Sequence, residues 1–333
     1  MTRLKVIFTS HIGLSPLGRS LIALGLIKRS NSGEQKSRNY YIKPSYLMFF
    51  LFTSFLLSAC QSNAINVAKS DTVVASITEL TIESHGSRIP GLAYLAAGSG
   101  PHPTVLLLHG YPGNEKNLDV AQALRRNGWN VVFFHYRGAW GSEGEFSFRN
   151  SEQDVHAVLN YMRDPANAKT LRIDPERISI VGHSMGGHMA IAGILDNQNV
   201  RCAIAYDGAN MGAKGKGLFN VPEAAAMWSN YSDTLFMLQG WSGAKAMQEI
   251  NEYGRELDLV TRANQINGRP VLLIAADTDV IPIDLHITPL LDALAMTDDS
   301  NTHYLLIDDD HSFSSSRLEL IEATEGFLNQ RCR

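Results

Sequence analysis

The spacing of hydrophobic positions changes along this chain. From Ile77 apolar and polar residues alternate, with Leu80-Thr81-Ile82-Glu83 and Ile89 to Leu95 on either side of Ser84-His85-Gly86-Ser87. A period of two broken by a turn cluster predicts a β-hairpin. Gly98-Ser99-Gly100-Pro101 then interrupts the pattern. Beyond it the apolar runs are continuous: Thr104 to Leu108, Val131 to Phe134, Ile178 to Val181, Cys202 to Tyr206, Val271 to Ala275 and His303 to Ile307. Unbroken runs of this length suit parallel strands buried on both faces. Helical stretches are read at Leu118 to Asn127, Asp154 to Met162, Met185 to Leu195 and Leu318 to Leu328. Alternating strand and helix predict the α/β class, a mostly parallel twisted sheet with helices on both faces behind an N-terminal antiparallel hairpin.

One interval breaks the rhythm. Between Asp207 and Pro270 there is no strand run, and Met, Trp, Ala and Gly are frequent. Helices are expected near Pro222 to Asn230 and Ala244 to Leu257, so residues 208–268 read as a helical cap inserted between strands. Met227, Trp228, Phe236, Met237, Trp241 and Met247 either line an acyl pocket or form the cap's own core.

The N-terminal region has a different texture. Residues 46–59, YLMFFLFTSFLLSA, hold an apolar core from Tyr46 to Leu57 that is short for a membrane span and suits a signal-peptide core. Lys43 stands just before it, and the preceding stretch is basic, with Arg3, Lys5, Arg19, Lys28, Arg29, Lys36 and Arg38. Leu57-Ser58-Ala59-Cys60 resembles the bacterial lipobox. That resemblance implies cleavage before Cys60, lipidation of Cys60, and a membrane partner through the lipid anchor. Gln61 follows the cysteine, which leans toward the periplasmic side of the outer membrane within the bacterial envelope. Residues 1–59 are then extension and signal, 60–76 a polar tether, and 77–333 the globular domain.

Composition narrows the function. The chain has 333 residues, 44% hydrophobic and 19% charged, with a net charge of −4, so no broad basic face for nucleic acid is implied. Three cysteines, Cys60, Cys202 and Cys332, match no zinc spacing. Cys202 and Cys332 are either free or bridged, a bridge requiring an oxidising compartment. Asp308-Asp309-Asp310 lacks EF-hand spacing and reads as a solvated loop. His183 and His188 do not share a helix face well enough for a zinc pair, and no GxGxxG follows a first strand. No metal, cofactor or protein partner is implied.

Gly182-His183-Ser184-Met185-Gly186 matches G-x-S-x-G directly after a predicted strand and before a small-residue helix. In that context the motif lifts a serine hydroxyl above the sheet edge on a tight turn, and the glycines relieve collisions across it. With His109-Gly110-Tyr111-Pro112-Gly113 after the first continuous strand, Asp279 after the fifth and His311 after the sixth, the chain resembles the α/β-hydrolases from about Ile77 to Leu328. Its texture is similar to the dienelactone-hydrolase and acyl-peptidase-like branches. The resemblance implies Ser184 as nucleophile, His311 as base and Asp279 as acid, with Asp277 and Asp207 as competing acids. It also implies an oxyanion hole from the N–H groups of Tyr111 and Met185. The expected activity is serine-dependent cleavage of a small-molecule carboxylic ester or acyl substrate, with peptidase or amidase activity of the same fold as the alternative.

Overall fold

The computed structural model of the protein describes residues 6–7, 27–29, 39–42, 73–277, 281–297 and 301–333. Eight strands form one sheet: β1 (Ser76–Ser84), β2 (Ser87–Leu95), β3 (His102–Leu108), β4 (Asn130–Phe134), β5 (Ile173–His183), β6 (Val200–Tyr206), β7 (Val271–Ala276) and β8 (Thr302–Ile307). Their spatial order is β1-β2-β4-β3-β5-β6-β7-β8. The β1–β2 and β2–β4 pairs are antiparallel and all others parallel. The β1–β2 turn is His85-Gly86, with φ of 49° and 77°. Two positive φ values in a two-residue loop match the right-handed twist of paired strands.

The continuous apolar runs have a direct structural cause. On β3, Leu106 and Leu108 enter one buried cluster while Val105 and Leu107 enter the other. Both faces of the central strands are covered, so neither set of alternate positions is left polar. One face is covered by α1 (Leu118–Arg126) and the C-terminal helix, the other by α2 (Phe148–Arg163), α3 (Pro165–Leu171) and α4 (Met185–Asp196). Between β6 and β7 lie α5 (Met211–Asn220), α6 (Pro222–Asp233), α7 (Gly243–Tyr253) and a 3₁₀ helix, Leu259–Ile266. Two short helices follow β7, α8 (Ile283–His286) and α9 (Thr288–Ala295), and α10 (Arg317–Arg331) closes the chain.

Two elements exceed their expected lengths. β5 begins at Ile173, because Ile173 pairs with His102 ahead of a register shift. The intervening Asp174-Pro175-Glu176 hides that start from a hydrophobicity pattern. α2 begins at Phe148, six residues before the expected start. Its first amides are satisfied by Ser147, which accepts from Asn150, and by Glu249 of α7, which accepts from Phe148 and Arg149 at 3.0 and 2.9 Å. A cap supplied from another helix leaves no local signal.

Cys202 on β6 and Cys332 after α10 form a disulfide, Cα–Cα 5.7 Å, across a separation of 130 residues. On the chain-entropy account a closed loop of this size stabilises by about 5 kcal/mol. The chain divides into two compact units, 1–70 and 71–333. Within the first, the short strands Val6–Ile7, Asn39–Ile42 and Ile27–Arg29 pair in that order, antiparallel. The apolar segment 46–59 and Cys60 lie outside the described residues.

Candidate active site

β5 ends and α4 begins at Ser184, whose φ of 57° and ψ of −120° lie outside the regions open to most non-glycine residues. The neighbours hold it there. Its N–H donates to Tyr206 O at 2.8 Å, and its carbonyl accepts from Ala209 N at 3.0 Å. A Cβ on Gly182 would lie 1.9 Å from Gly186 O, and one on Gly186 would lie 2.4 Å from Leu108 O. The two glycines therefore relieve different collisions, one across the turn and one against the end of β3. Gly110 serves the same close approach, since a Cβ there would come 2.9 Å from the Ser184 Cβ.

His311 stands on the loop between β8 and α10. Its Nδ1 donates to Oδ2 of Asp207 at 2.7 Å, and its ring is about a quarter exposed while Asp207 is fully buried. Asp207 caps β6 at φ 43°, and its Oδ1 accepts from Ala276 N at 3.2 Å. The acid expected at Asp279 falls outside the described residues, and the carboxylate found on the ring belongs to the competitor one strand earlier. Asp277 is exposed, and its amide donates to Ile307 O.

The His311 loop is built from its own carboxylates. Asp309 accepts from the amides of Asp310, Ser315 and Ser316, and Asp310 accepts from those of Ser312 and Ser314. Asp308 and Asp310 are exposed on this loop, and Asp309 and Asp310 also cap its turns. Arg317 donates to Ser312 O and to both oxygens of Asp119, tying the loop to α1. His183, next to Ser184 in the chain, reaches across to His311. Its Nε2–H donates to the His311 carbonyl at 2.6 Å, and the two ring centroids are 4.5 Å apart. One side chain from the serine turn therefore fixes the backbone of the His311 loop. His188 points away, donating to Glu152 from Nε2 and accepting from Met211 N at Nδ1.

Met185 is the first residue of α4, at the positive end of the helix. Tyr111 follows the Gly110 that touches Ser184. Its phenol donates to Ser232 Oγ at 2.7 Å and accepts from Trp241 Nε1 at 2.8 Å, so the cap grips this loop. Burial pushes the phenol up to about 12. Around it pack Phe146, Phe148, Trp228 and Tyr231. Five of the six apolar cap positions separate here. Trp228, Met237 and Trp241 pack on the core, whereas Met227 and Phe236 are 73% and 92% exposed and line no interior.

Behind the loop, His109 is buried, donates from Nδ1 to Gly110 O, and is held down to about 3 by desolvation. His135, its centroid 5.1 Å away, is lowered to about 4 by burial and by the Lys116 charge. Unfolded, both would titrate near 6.5. Below that value the unfolded chain binds more protons than the folded one, so stability falls as the pH drops from 6.5 toward 4. At about 1.4 kcal/mol per unit, each ring costs about 2 kcal/mol by pH 5. Thermal melts should show Tm falling between pH 7.5 and pH 5, with a shallower fall in His135→Phe. An identical slope in the variant contradicts the assignment.

Comparison with known proteins agrees with this architecture. The BD-FAE family model matches residues 93–226. An uncharacterized protein of Mycobacterium tuberculosis is 27% identical over 127 residues, 38% of this chain and 43% of that one. Lysophosphatidylserine lipase ABHD12 of Danio rerio is 33% identical over 92 residues, 27% of this chain and 22% of that protein. The chain thus spans less than half the length of these curated relatives. Among solved structures, the Pyrococcus furiosus esterase Pf2001 has a TM-score of 0.57 at 18% identity, covering 78% of this chain and 94% of that one. The Pyrococcus horikoshii acylaminoacyl peptidase has a TM-score of 0.57 at 16% identity, covering 92% and 48%. Est1E from Butyrivibrio proteoclasticus has a TM-score of 0.55 at 14% identity, covering 76% and 98%. With its sheet order, its serine turn between β5 and α4, and these neighbours, the chain has the α/β-hydrolase fold.

Proposed function

We propose that the protein is a serine hydrolase that cleaves carboxylic esters through an acyl-enzyme, using Ser184, His311 and Asp207. The observation that carries this reading is the His311–Asp207 pair, whose loop is tied through His183 to the strained turn that holds Ser184 at a helix N-terminus. A neutral hydroxyl is a weak nucleophile. His311 takes its proton as Oγ attacks the substrate carbonyl, and Asp207 holds the Nδ1–H tautomer and stabilises the imidazolium. The oxyanion is held by the N–H groups of Tyr111 and Met185, each contributing about 3 kcal/mol. His311 then protonates the departing alcohol, and water, activated by the same ring, releases the acid and frees Ser184.

Of the neighbours named above, the Pyrococcus furiosus protein is an esterase and the Pyrococcus horikoshii protein a peptidase, so both readings have structural precedent. The reading is tested by assaying purified protein on p-nitrophenyl esters of increasing chain length beside aminoacyl p-nitroanilides. Turnover of esters with little or none of anilides is expected, and the reverse preference would move the assignment to a peptidase.

We also propose lipid anchorage at Cys60 in the bacterial envelope, on the periplasmic side of the outer membrane. The Cys202–Cys332 disulfide supports it, because such bonds persist in oxidising compartments. Several acyl chains on one cysteine give lasting attachment at about 0.8 kcal/mol per buried CH₂. In a bacterial host the protein should take up labelled palmitate and sediment with membranes, and Cys60→Ser should abolish both. Labelling that survives the substitution overturns the proposal and leaves the hydrolase reading intact.

A further inference from the structure

The first cap helix carries a cation with no anion beside it. Lys214 lies on α5, one turn beyond Asn210, whose carbonyl accepts its N–H at 2.9 Å. The preceding residue, Ala209, is hydrogen-bonded to the Ser184 carbonyl, so Lys214 is about one helical turn from the backbone that holds the serine. Its side chain is mostly buried. Its ammonium sits 5.6 Å from the ring centroid of Trp228, which packs 6.1 Å from both Tyr111 and Phe148. Among the described residues it meets no carboxylate and no hydrogen-bond acceptor.

Arg255 is exposed to solvent, and three other cations of the cap region are matched by carboxylates. Lys216 pairs with Asp258, Lys245 with Glu145, and Arg262 with Glu152 and Asp196. A desolvated ammonium without an anion is costly, and an aromatic face offsets only part of that cost. Burial alone lowers the Lys214 amine, with no neighbouring carboxylate opposing it. An ammonium so placed, with the Trp228 ring between it and Tyr111, favours whatever ligand brings the missing negative charge.

We propose that Lys214 is the subsite for an anionic group, a carboxylate or phosphate, carried by the substrate in addition to its scissile ester. This rests on the ester-hydrolase reading and narrows it to acidic esters. The ammonium acts as a point charge, so either anion suits it. The charge can lie on the acyl side or on the alcohol side of the ester, and two substrate pairs separate these cases. One pair is p-nitrophenyl hydrogen suberate against p-nitrophenyl octanoate. The other is a 1-acylglycerol 3-phosphate against the 1-acylglycerol with the same chain.

At low salt the wild-type enzyme should favour the anionic member of one pair by about tenfold in kcat/KM, the lower range for a hydrogen bond to a charged group. Lys214→Met keeps the apolar stem against Trp228, and should bring that ratio close to one. Lys214→Glu should bring it below one. A wild-type ratio at or below one in both pairs, or a ratio unchanged in Lys214→Met, overturns the subsite. Fluorophosphonate labelling on the same samples keeps the two claims apart. Labelled protein without charge preference removes only the subsite, whereas unlabelled protein removes the hydrolase reading beneath it.

Discussion

Ser184→Ala should abolish ester hydrolysis, with turnover falling by about 10⁴-fold or more, because the hydroxyl forms the covalent intermediate and the triad acts as a unit. The fold should survive. Alanine at φ 57° carries the same backbone strain as serine, and the bonds from Ser184 to Tyr206 and Ala209 are made by main-chain atoms. The variant should therefore melt within a few degrees of wild type while failing to release p-nitrophenol. Near-wild-type turnover in a purified sample would remove Ser184 from the mechanism.

Asp207→Asn should lose about 10⁴-fold in turnover, as expected when an amide replaces the carboxylate that fixes the base tautomer. Asparagine fills the same volume, but it can present its NH₂ to Nδ1 and so leave the proton on the wrong nitrogen. It also cannot stabilise the imidazolium formed during attack. Asp207 already holds Ala276 N through its other oxygen, so the orientation of the side chain is set from two sides. Asp277→Asn should cost less than tenfold, because the side chain is exposed. Asp279→Asn completes the series in a side-by-side measurement of kcat. If Asp279→Asn is crippled and Asp207→Asn is active, the acid belongs after β7.

The difference between those two aspartates shows where sequence reasoning loses resolution. Both follow buried apolar strands that pair side by side in the sheet, β6 ending at Tyr206 and β7 at Ala276. Spacing along the chain says little about which carboxylate turns toward the ring. The strands themselves were legible, because Val105, Leu107 and their alternates must all be apolar when both faces are covered. The serine turn was legible because only small residues at 182 and 186 avoid collisions of 1.9 and 2.4 Å.

Features that depend on distant partners were not legible. The start of α2 is set by Glu249, about a hundred positions away in the chain. The His183 bond to the His311 loop joins residues 128 apart. Cap residues of like hydrophobicity also divide by context, with Trp228 packed on the core and Phe236 left 92% exposed. The short helices Pro165–Leu171 and Thr288–Ala295 carry too few periodic positions to stand out.

The central claim is that Ser184 is an activated nucleophile. It is tested most directly by reacting the purified protein with a fluorophosphonate probe and mapping the adduct by peptide mass spectrometry. One phosphonyl group per chain is expected, carried by Ser184 in the peptide containing Gly182 to Gly186. His311→Ala should slow its formation by orders of magnitude, since the base then no longer removes the serine proton. An adduct on another residue, or no adduct in a folded sample, would contradict that claim.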